Sequence, residues 1–256
     1  MRAIATIAVN TFREAVRHRI LYLLFFFAVA IIAFSRILGE LTVGDKAKII
    51  MDMGLASISL SAVLIAIFLG VGLVSREIER RTIFVVLAKP VSRTAFIFGK
   101  ALGLGLTVLI VTGLLGLELM AVVRFFTGQW PWHLLLSVAL ALGEALVILS
   151  FSLVFSSFTT SILASLYSLA FFVIGHFSWT FKILSDRAVL GGKHLFWYGA
   201  YLILPNLERF NIRSELVHGV PISLHYQVLI PILYGLCYSL GLLVLASMVF
   251  ERKDIV

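Results

Sequence analysis

Apolar residues run almost unbroken through six stretches of the chain, at 20–38, 55–74, 96–123, 134–155, 162–181 and 228–250. About 20 mostly apolar residues in a helix cross the roughly 30 Å of bilayer hydrocarbon. The pattern therefore predicts an all-α membrane protein with six spanning helices, forming one transmembrane domain over 1–256. Most polar intervals are short, but 182–227 is too long for a simple turn. Inside it, 195–204 is apolar and aromatic, with Trp197, Tyr198 and Tyr201 ahead of Pro205. That piece is too short to cross, and it reads either as an interfacial or re-entrant piece or as an ordinary aromatic-belt anchor.

Residues 1–19 read as a helix of their own. Ile4, Ala8, Phe12 and Ala15 recur at three-to-four spacing, while Asn10, Arg13 and Arg17 fall on another side. Such a helix can lie in the headgroup plane, its apolar face down and its arginines towards anionic lipid. A basic start before an apolar run also partly fits a secretory signal. The basic region reaches Arg19, however, long for such a leader, so 20–38 is expected to stay as a span.

The segment 75–88, after the second run, predicts a short cytoplasmic helix. Ser75 can cap its start, and Glu77 falls in the first turn, where a carboxylate complements the helix dipole. Glu77 can pair with Arg80 or Arg81 at i+3 or i+4. Pro90 disfavours helix at Lys89, so the element should stop near Ala88. The competing reading is a solvated basic loop.

Composition agrees with the pattern. The chain is 61% hydrophobic and 13% charged, with a mean hydropathy of +1.08. Soluble domains run nearer 45–50% apolar and about 25% charged, which excludes an ordinary soluble enzyme. Disorder is excluded by the apolar content, including 21 Phe. The net charge is +8. Most basic residues fall at the N-terminus, between Arg76 and Lys100, and at Arg252 and Lys253, so both termini are expected in the cytoplasm. No basic stripe carries interleaved aromatics, so nucleic acid is not an expected partner. Cys237 is the single cysteine and permits no internal disulfide.

Candidate chemistry is sparse. No GxxxxGK[ST] loop occurs, and Gly99-Lys100 is followed by Ala101, so the chain lacks that phosphate cradle for ATP. HExxH and GxSxG are absent and the six histidines are scattered. No metal site and no catalytic set are expected. Glu118 and Glu144 lie inside predicted spans, where ionisable groups are costly and mark substrate pathways by default. The bland alternative has Glu118 reaching the interface and Glu144 bonded to a nearby serine. His176 reads as a hydrogen-bonded packing residue. Gly99 and Gly103 form a GxxxG, which lets helices approach closely.

Three stretches together resemble the permease subunits of ABC-2 type transporters, particularly the branch typified by the permease of the copper-enzyme maturation system of denitrifiers. They are Asn10-Thr-Phe-Arg-Glu-Ala-Val-Arg-His-Arg-Ile20, then Ser75-Arg-Glu-Ile-Glu-Arg-Arg-Thr82 continuing to Gly99-Lys100, and the finish Phe250-Glu-Arg-Lys-Asp-Ile255. The family commonly has Gly-Thr where this chain has Arg81-Thr82. The resemblance implies a permease, exporting in direction, in a prokaryotic plasma (inner) membrane, without chemistry of its own and with short outer helices that match 195–204. It implies a dimer with a second permease copy, on two copies of a separate ABC ATPase that holds ATP and magnesium. Glu77, Glu79, Arg80, Arg81 and Thr82 would belong to the coupling helix that docks on that ATPase. Arg13, Glu14, Arg17 and Arg19 would belong to the interfacial elbow. Two other functions compete with transport: an integral-membrane enzyme acting on lipid through Glu118, Glu144 and the outer histidines, and a membrane scaffold or signalling subunit.

Overall fold

A computed structural model describes residues 2–41, 45–79, 92–187 and 194–252. The described residues form helices and turns with no strand. In chain order these are α1 (Arg2–Val16), α2 (Arg19–Leu41), α3 (Lys46–Glu79), α4 (Arg93–Thr127), α5 (Leu134–Phe158), α6 (Ser161–His176), α7 (Ser178–Arg187) and α8 (His194–Ile203). A 3-10 turn (Leu207–Phe210), the short α9 (Arg213–Val217), a π-helical turn (Leu224–Leu229) and α10 (Ile230–Arg252) complete the described residues.

Among the described residues, five helical segments are long and apolar enough to cross a membrane: α2, α3, α4, α5, and α10 with its preceding π turn. The apolar stretches of α3 and α5 are 72% and 67% buried, against 28% in α2 and 22% in the last segment. The bundle is thus built round α3 and α5, with α2 and α10 at its margin. Small residues allow this close pairing. A Cβ on Gly70 of α3 would meet Ser152 Cβ at 2.9 Å and Leu149 Cδ1 at 3.0 Å on α5, the kind of approach that membrane helices use in place of a hydrophobic drive between them.

The helix ends follow local chemistry. Ser92 is extended and its Oγ accepts the Ala95 N–H at 3.2 Å, starting α4. Gly128, at φ 71°, ends it in the left-handed region that favours glycine, its N–H bonded to Arg124 O. At the start of α3, Lys48 Nζ lies 2.6 Å from Asp45 Oδ2, and this bond and charge hold the Asp45 carboxyl below its ordinary range.

Aromatic contacts mark both ends of the bundle. Near the α4–α5 turn, Trp130 and Trp132 stack at 5.6 Å, and the Arg124 and Arg36 guanidinium groups lie over Trp130 and Phe125. At the opposite end Arg93 Nη1 donates to the carbonyls of Phe250 and Glu251, both at 3.0 Å, while Phe96 stacks on Phe250. The first of α4 is thereby tied to the last of α10.

Two expectations are corrected. The fifth span is not one helix over 162–181: α6 ends at His176, and the pair Ser161–His176 and Thr180–Asp186 is bent by 54°. Sixteen residues rise only about 24 Å, short of the hydrocarbon thickness. The break sits where Leu207 and the Pro205 carbonyl press on Gly175. The second correction concerns Ser75, which does not cap a new helix because α3 runs through it to Glu79. Residues 75–79 contain no breaker, and their Arg and Glu are strong helix formers. The rest of the expected coupling helix, 80–88, lies outside the described residues.

The apolar piece at 195–204 does form a helix, α8, and it packs on α7 with Trp197 stacked on Phe181 at 5.9 Å. Leu195, Phe196 and Ile203 remain exposed at 79%, 71% and 75%.

Candidate functional site

Four helices and one turn line a cavity of about 300 Å³. Ser59 enters it from α3, Glu144 from α5, and Phe172 and His176 from α6, while Phe210, Asn211 and Arg213 come from the segment after α8. Such a volume is at the small end for small-molecule sites.

Glu144 is 4% exposed. Its Oε2 accepts a hydrogen bond from Ser59 Oγ at 2.8 Å. Its Oε1 lies 3.4 Å from His176 Nε2, an ion-pair distance, yet has no hydrogen-bond partner among the described residues. The other ring nitrogen, Nδ1, is 3.2 Å from the Phe172 carbonyl. An imidazole between two acceptors suits both only when it is doubly protonated or when the carboxyl itself carries a proton. His176 is therefore the partner of a buried carboxylate, besides being the hydrogen-bonded packing residue expected.

A second charged pair borders the cavity. Arg213 Nε lies 2.9 Å from Asp52 Oδ1, and both side chains are partly exposed. Asp52 and Ser59 are two turns apart on α3, so the Glu144 carboxylate sits roughly 10 Å along the helix axis from this pair.

The segment after α8 is keyed into the bundle by three glycines on three helices. Phe210 occupies the space where Gly143 of α5 and Gly235 of α10 would carry Cβ atoms, with its Cε1 at 3.0 Å from either position. Leu207 does the same over Gly175 of α6, at 2.7 Å. Tyr234 Oη accepts the Asn206 N–H at 3.0 Å, and Tyr238 Oη donates to the Ile203 carbonyl at 2.7 Å. Leu207 and Phe210 are buried.

Glu118 does not share this site. It lies on α4, away from the cavity lining, with a buried Oε2 that has no hydrogen-bond partner among the described residues. The elbow residues separate as well. Arg13, Arg17 and Arg19 are exposed, whereas Glu14 reaches Lys100 on α4, Oε2 to Nζ at 3.5 Å, and Lys100 is 2% exposed. The GxxxG serves this same contact. A Cβ on Gly99 would meet Ile7 at 2.7 Å, and one on Gly103 would meet Thr11 Cβ at 2.7 Å and the Ala8 carbonyl. The motif seats α1 against α4 inside one chain. Glu77 and Glu79 fall on the last turns of α3, while Arg80, Arg81 and Thr82 lie outside the described residues.

Asp52, Phe210, Asn211 and Arg213 were not legible as site residues. The one signal available was the placing of Gly143, Gly175 and Gly235 in three separate apolar runs. Among the described residues no three His, Cys, Asp or Glu side chains converge as a metal site needs. The arrangement can hold and orient a small molecule.

A family model described as ABC-2 family transporter protein matches residues 5–255, nearly the whole chain. No curated protein matches it.

Proposed function

The chain belongs to the ABC-2 transporter family and is the permease subunit of an ABC transporter, and from that premise we propose how it carries substrate and takes up the work of its ATPase partner. Two copies of the chain stand on two ATPase subunits in a prokaryotic plasma membrane, with both termini cytoplasmic and export as the direction. The partner binds ATP and magnesium. The cavity at Glu144 belongs to the substrate pathway. Glu118, half-buried on α4, borders the route of passage elsewhere in the bundle. The segment 75–88, with Glu77, Glu79, Arg80, Arg81 and Thr82, docks on the ATPase, and α1 braces the same face through Arg13, Glu14, Arg17 and Arg19.

The observation that supports this reading is the continuity of α3. One unbroken helix holds Ser59, which bonds Glu144 in the cavity, and runs on to Glu79. Twenty residues separate the two positions, roughly 30 Å of rigid rod. A push on the Glu77 end is then transmitted to the cavity wall without passing through a loop. The test is Glu77→Arg in the chain expressed with its ATPase. Co-purification and stimulated ATP hydrolysis should both be lost; an intact, active complex would sink the docking assignment.

A further inference from the structure

The cavity has one buried acceptor left over. Glu144 is more than nine-tenths buried, it faces the cavity, and its Oε1 lacks a hydrogen bond among the described residues. An unmatched carboxylate oxygen in such a place is costly, and a ligand that donates to it recovers that cost. The other formal charge on the lining, Arg213, is already engaged with Asp52 at 2.9 Å. An anionic ligand would meet Glu144 directly, and a ligand without a donor would leave Oε1 as it is. The remaining lining is mostly apolar, with Leu55, Ala56 and Ala141 beside the rings of Phe172 and Phe210. Aromatic faces near a carboxylate favour a cation further.

We propose that this cavity binds the ammonium group of a small amphiphilic primary or secondary amine, Glu144 Oε1 accepting its N–H and Phe172 and Phe210 flanking its apolar body. The proposal rests on the cavity being part of the substrate pathway and names the substrate class of that site. His176 Nε2 lies 3.4 Å from Oε1 but off the line of a hydrogen bond, so the imidazole borders this oxygen and leaves its hydrogen bond to the ligand.

The test is calorimetric binding to the purified full chain in nanodiscs of uncharged lipid at neutral pH. The probes are 2-phenylethylammonium, 2-phenylethanol, which has the same outline and no charge, and benzyltrimethylammonium, a cation with no N–H. A charge-assisted hydrogen bond at a buried site predicts that the amine binds at least tenfold more tightly than either comparison. Glu144→Gln, which can still accept from Ser59, should erase that preference. Ala56→Leu, which fills the cavity and leaves the carboxylate intact, should weaken binding of the amine at least tenfold. Equal affinity for amine and alcohol, a preference that survives Glu144→Gln, or benzyltrimethylammonium bound as tightly as the amine would each overturn the proposal. No ATPase is needed for this assay, so the two readings fail separately. An ATPase complex that forms with no amine preference removes the amine site alone; an amine preference in a chain that joins no ATPase upholds the site and removes the transport reading.

Discussion

Replacing Gly235 by Ala tests whether the segment at Phe210 is keyed into the bundle as described. A methyl group on Gly235 would stand 2.8 Å from Phe210 Cζ and 3.0 Å from Cε1, whereas carbon atoms at rest sit about 3.5–4.0 Å apart. The ring would have to retreat by nearly 1 Å. On its other side the ring lies against Gly143, where an added Cβ would itself stand 3.0 Å from Cε1, so the retreat must be taken up by shifting the segment that carries Phe210. Overpacking of this kind costs about 1–3 kcal/mol, partly offset by the roughly 0.5–1 kcal/mol that a helix gains when Gly becomes Ala. The net loss is on the order of 1 kcal/mol, which for a chain of this length lowers the melting midpoint by about 2–4 °C per kcal/mol. With Phe210→Leu already present, the clash is relieved and only the helix gain remains, so Gly235→Ala should then be neutral or stabilising. The two changes would couple by roughly 1–2 kcal/mol, well outside the 0.3–0.5 kcal/mol seen for independent sites. Unfolding of the purified chain in mild detergent, followed by the fluorescence of its four tryptophans, measures all four corners of the cycle. Additive effects, with Gly235→Ala equally harmful in both backgrounds, would refute the keyed packing.

Two further predictions use the same assay. Glu14→Gln should cost more stability than Lys100→Met, because Lys100 is buried and Glu14 is half exposed; losing the carboxylate weakens the compensation of a buried ammonium, while losing the lysine leaves a carboxylate that water can solvate. The reverse order would show that this pair does not hold α1 to α4. Tyr234→Phe removes the oxygen that accepts the Asn206 N–H and should cost about 1 kcal/mol. Amide exchange at Asn206 should quicken, and unchanged exchange would count against that bond.

Apolar run length made the helices α2, α3, α4, α5 and α10 readable, since only a helix satisfies its own backbone groups in lipid. Glu144 stood out for the same reason: an ionisable group midway along such a run requires a reason to be there. The separate helix at the N-terminus was also legible from local pattern, and the one at 195–204 from the family resemblance. The end of α3 was not, because capping residues state where a helix can begin, and Ser75 serves equally well inside one that simply continues. Nor was the break after His176. Nothing in Gly175-His176-Phe177-Ser178 forbids a helix; the chain turns there under the contact of Leu207 with Gly175.

By itself, then, the sequence determined the solvent, the number of apolar helices to within the broken fifth span, and the burial of one carboxylate. Those are properties of single segments, set by the energy of moving each from water into hydrocarbon. Only the tertiary structure decided what that carboxylate faces. Ser59 lies 85 residues before Glu144 and His176 is contributed by another helix, while Phe210 reaches Gly143 and Gly235 across two helix interfaces. Contacts between remote residues depend on shape, on which small residue lies opposite which large one, and hydropathy along the chain carries no record of that pairing.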